Sequence, residues 1–204
     1  MRVFVTVLCL CWFALPVHAA DEIIDKVAKL NIPQEELMKL GEELFNTDGA
    51  NTCLKCHGKG GHGGDQAGAA DLRHPKTWRV YQALGGDVAF QANKEQFVKN
   101  VNTVIHDLIR NGATTWNLQF ARAHKDIALD WSKVTIPNKA DKYDSMMKGL
   151  TSEPMKDALD AMAAKLEKAG HKLTAGQLRD VAAVADFLYV KSLDDGSDQG
   201  GVFK

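Results

Sequence analysis

Cysteine is scarce in this chain. Four occur in 204 residues, and Cys9 and Cys11 fall in the opening stretch M-R-V-F-V-T-V-L-C-L-C-W-F-A-L-P-V-H-A-A. That stretch has one Arg, an apolar run to Leu15, a Pro break, and small residues at Val17 and Ala19. It has the layout of a secretory signal peptide over residues 1–19, cleaved after Ala19. The apolar run falls short of the roughly 20 residues a membrane-spanning helix needs. Cleavage would remove Cys9 and Cys11 and leave Cys53 and Cys56, separated only by Leu54 and Lys55. A secreted domain stapled by disulfides uses several dispersed pairs. One local pair points to chemistry instead.

Other absences narrow the class. Lys and Arg together number 25 against 26 Asp and Glu, with no basic stripe, which argues against a nucleic-acid partner. Beyond residue 20 nothing is apolar enough for long enough to span a bilayer, so the expectation is a soluble protein exported from the cytoplasm. No strand-like alternation and no internal repeat is present. What remains is helical periodicity punctuated by Gly and Pro, over a length that suits one domain with a sizeable core.

Residues 22–30 place Ile23, Ile24, Val27 and Leu30 in a short apolar turn. Asn31 and Pro33 announce a helix to about Phe45, with Leu37, Met38, Leu40, Leu44 and Phe45 on one face. Gly41 sits in the middle of that face. A glycine there costs about 1 kcal/mol against Ala, which a close crossing by another helix would justify. Residues 58–70 form a Gly-rich loop. Residues 94–110 read as an amphipathic helix with Phe97, Val98, Val101, Val104, Ile105, Leu108 and Ile109 on one face and His106 opposite it, toward water. The stretch 113–150, with Trp116, Trp131 and Pro137, is irregular and polar. A helix from Pro154 aligns Met155, Leu159, Met162 and Leu166 and stops at Gly170. The last helix opens at Thr174 with Gln177 completing a capping box. The tail 194–204 is Gly-, Asp- and Ser-rich and expected to be flexible.

The chemistry lies in Cys53-Leu54-Lys55-Cys56-His57. C-x-x-C-H is the attachment motif for c-type haem. On a helical turn residues three apart share a face, so both thiols can form thioethers with one porphyrin edge while His57 ligates the iron from the proximal side. The motif occurs once, which excludes a multi-haem array. A thioredoxin-like dithiol would sit in a βαβ pattern that is absent here. A structural zinc site usually needs four ligands, of which His62 could supply the fourth, but such knuckles rarely sit in an exported all-helical chain.

Around this motif the chain resembles the class I cytochrome c family. Gly41-Glu42-Glu43-Leu44-Phe45 resembles its N-terminal helix, and Val184-Ala185-Asp186-Phe187-Leu188 resembles the C-terminal helix whose aromatic packs across that glycine. Segment 70–78 and the helix ending Ile109-Arg110-Asn111-Gly112 are also similar to family segments, so the likeness covers about half of the exported chain. It implies an all-α cytochrome c domain over 20–193 with crossed terminal helices, one covalent haem c, and an enlarged inserted segment with an extra helix over 113–170. There are two departures. The loop after the motif has no Pro before Pro75, which leaves open the carbonyl that receives the Nδ1 proton of His57, and the span from Gly112 to Thr174 is long for the family.

The resemblance also implies a distal Met, and the candidates are Met146, Met147, Met155 and Met162. Met155 and Met162 belong to an apolar stripe, which is more often core than ligand. Met147, before Lys148-Gly149, matches the family best, and Met146 is second. His124 stays a rival, whereas His62 and His74 lie too near the proximal motif, and His171 reads as a helix-end residue. The implied function is single-electron transfer between periplasmic redox partners, a donor and an acceptor, with Lys55 and Lys59 near the exposed haem edge and no catalysis by the chain itself. One alternative is the haem subunit of a larger oxidoreductase, docked through 113–170. A further one is an open-site haem enzyme or sensor using His124.

Overall fold

The structure, a computed structural model, describes residues 19–50, 52–63, 69–111, 127–130, 133, 150 and 153–204. Among them every regular element is helical: α1 (Ala19–Ala28), α2 (Gln34–Phe45), α3 (Cys53–His57), α4 (Arg79–Ala83), α5 (Gly86–Ala92), α6 (Lys94–Asn111), α7 (Glu153–Lys168) and α8 (Ala175–Ser192), with 3-10 turns at Lys59–Gly61 and Pro75–Thr77. The all-α class holds, and no described helix is long and apolar enough to cross a membrane. Most of the expected signal peptide, and most of the segment after Gly112 with Trp116, Trp131 and Pro137, lies outside the described residues.

The helix ends follow local chemistry. Thr174 caps α8 by accepting the backbone N–H of Gln177, whose side chain answers to the Thr174 backbone, so the capping box is complete. At the end of α7 the N–H of His171 reaches the Leu166 carbonyl at 2.8 Å and that of Gly170 reaches Glu167 at 2.9 Å. This is the Schellman closure, with Gly170 at φ 94°. Glu35 and Glu36 occupy the first turn of α2, where the helix dipole favours acids.

Packing is organised around α8. From Val181 to Phe187 every residue is buried, so the helix is covered on all sides and serves as the axis of the core. One cluster joins Ile23 and Val27 of α1, Leu37, Leu40 and Leu44 of α2, and the Met155, Leu159, Met162 and Leu166 stripe of α7 against Val181 and Ala185. Met155 and Met162 are thus core residues. The other cluster joins Phe45, Trp78, Tyr81, Phe97, Val101, Val104 and Phe187. Each large apolar side chain so covered contributes about 1.5–3 kcal/mol. Between α2 and α8 the backbones touch: a Cβ on Gly41 would lie 1.9 Å from the Ala185 carbonyl oxygen. The mid-face glycine marks a helix crossing, as its placement predicts.

Two expectations change, and one feature is added. His106 does not face water. It is 1 % exposed, wedged between α6 and α8 with its ring edge-on to Phe187 at 4.2 Å. The helical pattern shows only the apolar stripe of α6, but α8 covers a second flank, where Thr103 is buried too and Arg110 pairs with Asp180 at 2.5 Å. The tail 194–204 does not trail free. Phe203 packs on Trp78 and Phe187 at 5.9 and 5.8 Å, Val202 is buried, and the Asp194 carboxylate accepts the N–H groups of Gly196 and Phe203. Its polar composition supplies the turns that let two apolar residues fold back. Finally, α4 and α5 form a corner that the apolar pattern did not reveal, because helices of 5 and 7 residues span too few turns to show a period.

Candidate haem-attachment site

Thr52 starts α3. Its hydroxyl donates to the Gly49 carbonyl at 3.0 Å and accepts the N–H of Lys55 at 3.3 Å. This N-cap winds the next residues into one turn, and Cys53, Cys56 and His57 fall together on it. Cys53 touches both core clusters, and Cys56 is buried. Neither forms a disulfide. Lys55 and Lys59 are exposed beside them.

The chain then doubles back over His57. The N–H of Gly63 reaches the His57 carbonyl at 2.7 Å, and the N–H of Leu72 reaches Gly61 at 2.7 Å. A Cβ on Gly61 would stand 2.7 Å from Leu193 Cδ1 and 3.1 Å from Leu72 Cβ, and the φ of 71° there is one that side chains rarely adopt, so glycine suits the point where these two leucines close over the loop. This return brings the Ala70 carbonyl 2.9 Å from His57 Nδ1, which settles the acceptor that the missing proline left open. With Nδ1–H donating to Ala70, Nε2 is the nitrogen left for a metal. Phe45 lies 6.5 Å from the His57 ring and 5.3 Å from Tyr189.

Electrostatics at the turn separate the possible chemistries. Burial pushes the Cys53 thiol well above its ordinary range, and the charges of Asp186 and Cys56 push it further; burial also raises Cys56. Dithiol redox catalysis needs the opposite, a lowered thiol pKa. Burial lowers the His57 pKa, against the smaller upward pull of the Ala70 bond, which favours the neutral imidazole that binds metals. His62 is exposed and turns its Nδ1 to the Gly63 carbonyl at 2.6 Å. Among the described residues no group of three or more His, Cys, Asp and Glu side chains converges as a metal-binding set, so none of them assembles a four-ligand zinc arrangement. A haem held by two sulfurs and one imidazole needs no such set, and this turn fits it: paired thiols on one face, and a neutral, oriented histidine next to them.

The other ligand candidates sort by position. Met146, Met147 and His124 lie outside the described residues. His74 packs near the loop against Asp71, Asp195 and Ser197, and His171 sits past the end of α7. Two polar residues of consequence escaped the sequence reading. Asp186, one residue past the helix crossing, is 2 % exposed, its Oδ1 has no hydrogen-bond partner among the described residues, and burial raises its pKa to about 7. An acid inside the apolar run V-A-A-V-A-D-F-L was the available signal. Among the described residues His106 has no hydrogen-bond partner at either ring nitrogen, and its pKa is held down to about 4 by burial, with a smaller effect from Lys191. Comparison with family models, curated proteins and solved structures finds no match to this chain, so its functional assignment rests on residues and geometry.

Proposed function

We propose that this chain is an exported mono-haem c-type cytochrome of the class I type that carries single electrons between periplasmic redox proteins. The observation that supports this most is the α3 turn, where Cys53 and Cys56 flank one face and His57, its Nδ1 tied to the Ala70 carbonyl, keeps Nε2 for iron. The close crossing of α2 and α8 at Gly41 is what a cytochrome c fold would require of its terminal helices. A bound haem would supply an iron that cycles between ferric and ferrous states. The protein's part would be to anchor it through Cys53, Cys56 and His57, to set the basicity of the His57 imidazole through Ala70, and to offer apolar surroundings from the cluster that includes Phe45, Leu72 and Trp78. Met147, with Met146 behind it, is proposed as the distal ligand on the strength of the family resemblance, and a thioether there raises the potential.

The test is expression with an intact leader in a host that matures c-type cytochromes. The expected product holds haem through denaturing electrophoresis. Cys53→Ala and Cys56→Ala each weaken that attachment, the double variant abolishes it, and His57→Ala changes the iron ligation while haem stays bound. A wild-type chain matured beside a control cytochrome yet free of covalent haem would sink the proposal. Loss of the thioether-ligated ferric spectrum in Met147→Ala, but not in Met146→Ala, identifies the distal ligand.

A further inference from the structure

The carbonyl that orients His57 belongs to no helix. Ala70 lies in the non-helical run 69–74, which ends just before the Pro75–Thr77 turn. Three residues after Ala70 are gripped by the end of α8 and the C-terminal tail. Leu193 closes on Leu72 over Gly61, the N–H of Asp195 donates to the Arg73 carbonyl at 3.3 Å, and Ser197 Oγ lies 2.9 Å from His74 Nδ1, with Asp195 Oδ1 at 3.5 Å from the same nitrogen. From the inner side the run is held by the Leu72–Gly61 bond and by Trp78, whose indole N–H donates to the Asp71 carbonyl at 2.8 Å. Asp71 also takes the Arg73 guanidinium through both carboxylate oxygens, at 3.0 and 2.6 Å, which stiffens the run from within. The tail has its own anchor, since Phe203 is seated on Trp78 and Phe187.

The geometry points to the tail as a clamp that positions the proximal histidine: His74 and Ser197, acting through segment 70–74, hold the Ala70 carbonyl on His57 Nδ1 and so set the donor strength of the iron ligand. This rests on the haem proposal and deepens it. A hydrogen bond from Nδ1–H to a carbonyl makes an imidazole a stronger donor, which favours the ferric state and lowers the potential. Loosening the clamp weakens that bond and moves the potential upward. Neither His74 nor Ser197 reaches the haem ligands, so both are positioning residues.

The experiment compares holoprotein variants Ser197→Ala, His74→Ala and the double variant with two controls. Ser192→Ala removes a tail-side hydroxyl that donates only to the Tyr189 carbonyl. Leu166→Val weakens the α7 side of the core, away from segment 70–74. The readouts are the midpoint potential and the exchange rate of the His57 Nδ1 proton by NMR. The clamp predicts a higher potential and faster proton exchange in Ser197→Ala and His74→Ala, largest in the double variant, and no change in either control. An unchanged potential and exchange rate in the double variant overturns it. So does an equal shift in Leu166→Val, because the effect would then follow general loss of stability. A chain that takes up no haem fails the proposed function itself. A haem-loaded chain indifferent to His74 and Ser197 fails the clamp alone.

Discussion

Replacing Gly41 by Ala is the sharpest perturbation this architecture offers. The added methyl would sit 1.9 Å from the Ala185 carbonyl oxygen, 2.4 Å from its carbon and 3.0 Å from the Asp186 nitrogen. All three are backbone atoms of α8, so no side-chain rotation relieves the clash, and ordinary contact begins at 3.4 Å. The helices must part by more than ~1 Å or tilt. Overpacking of this kind costs about 1–3 kcal/mol when side chains can yield, and more when they cannot. A gap of ~1 Å also forfeits up to about half of each dispersion contact across the seam. Against this, Ala is intrinsically better than Gly in a helix by about 1 kcal/mol. The net expectation is a loss of about 2 kcal/mol or more, and a fall in Tm of roughly 4–8 °C for a domain of this size. The assay is urea unfolding of the holoprotein followed by helical circular dichroism, read as a lower midpoint at constant slope. Gly176→Ala is the matched control, because that glycine is helical with nothing within 4 Å of a Cβ, and it should be neutral or gain up to about 1 kcal/mol. A Gly41→Ala protein as stable as wild type would refute the crossing.

Two buried ionisable groups, His106 and Asp186, tilt stability in opposite directions with pH. His106 is depressed to about 4 from 6.5, so the unfolded chain binds the extra proton between those values and stability falls as pH drops through that window, by about 3 kcal/mol in all. His106→Leu should remove this contribution, so the variant gains about 3 kcal/mol relative to wild type between pH 6.5 and pH 4 in pH-resolved urea titrations; a difference independent of pH would mean that the imidazole is not the group responsible. Asp186 is raised to about 7 from 3.8, so its contribution is present at low pH and is lost as pH rises through that window, by about 4 kcal/mol. Asp186→Asn should therefore match wild type near pH 4 and exceed it near pH 8, and a difference independent of pH would contradict the burial of the carboxylate. Because the two slopes oppose each other, the wild-type curve conceals both, and the single variants expose them.

Much of the helical framework was legible because its signals are local. The Thr174–Gln177 capping box, the Gly170 stop and the α7 stripe each depend on residues close to one another along a single helix, and each stands where the pattern placed it. Gly41 was legible for a different reason: a helix-weakening residue in the middle of an apolar face has few explanations other than close approach. His106 was misjudged because a single helix pattern reports one apolar face and does not report that a second helix covers the flank. The tail was misjudged because its Gly, Asp and Ser content outweighs Val202 and Phe203 in composition, while two apolar side chains and one buried aspartate suffice to anchor it.

At the candidate site the division is equally physical. The primary structure alone places two thiols and an imidazole on one turn, because the spacing of Cys53, Cys56 and His57 and a threonine cap decide that within six residues. It could not name the acceptor of the His57 proton. Ala70 carries no side-chain signal, and its carbonyl reaches Nδ1 only because the glycine-rich loop folds back and Leu193 seals it. Nor could it show that Asp186 and His106 would be dry, since desolvation belongs to the packing of α2, α6 and α8 around one another. Covalent chemistry is written in short spacings, whereas the dielectric and the orientation that tune it arise only when distant segments meet.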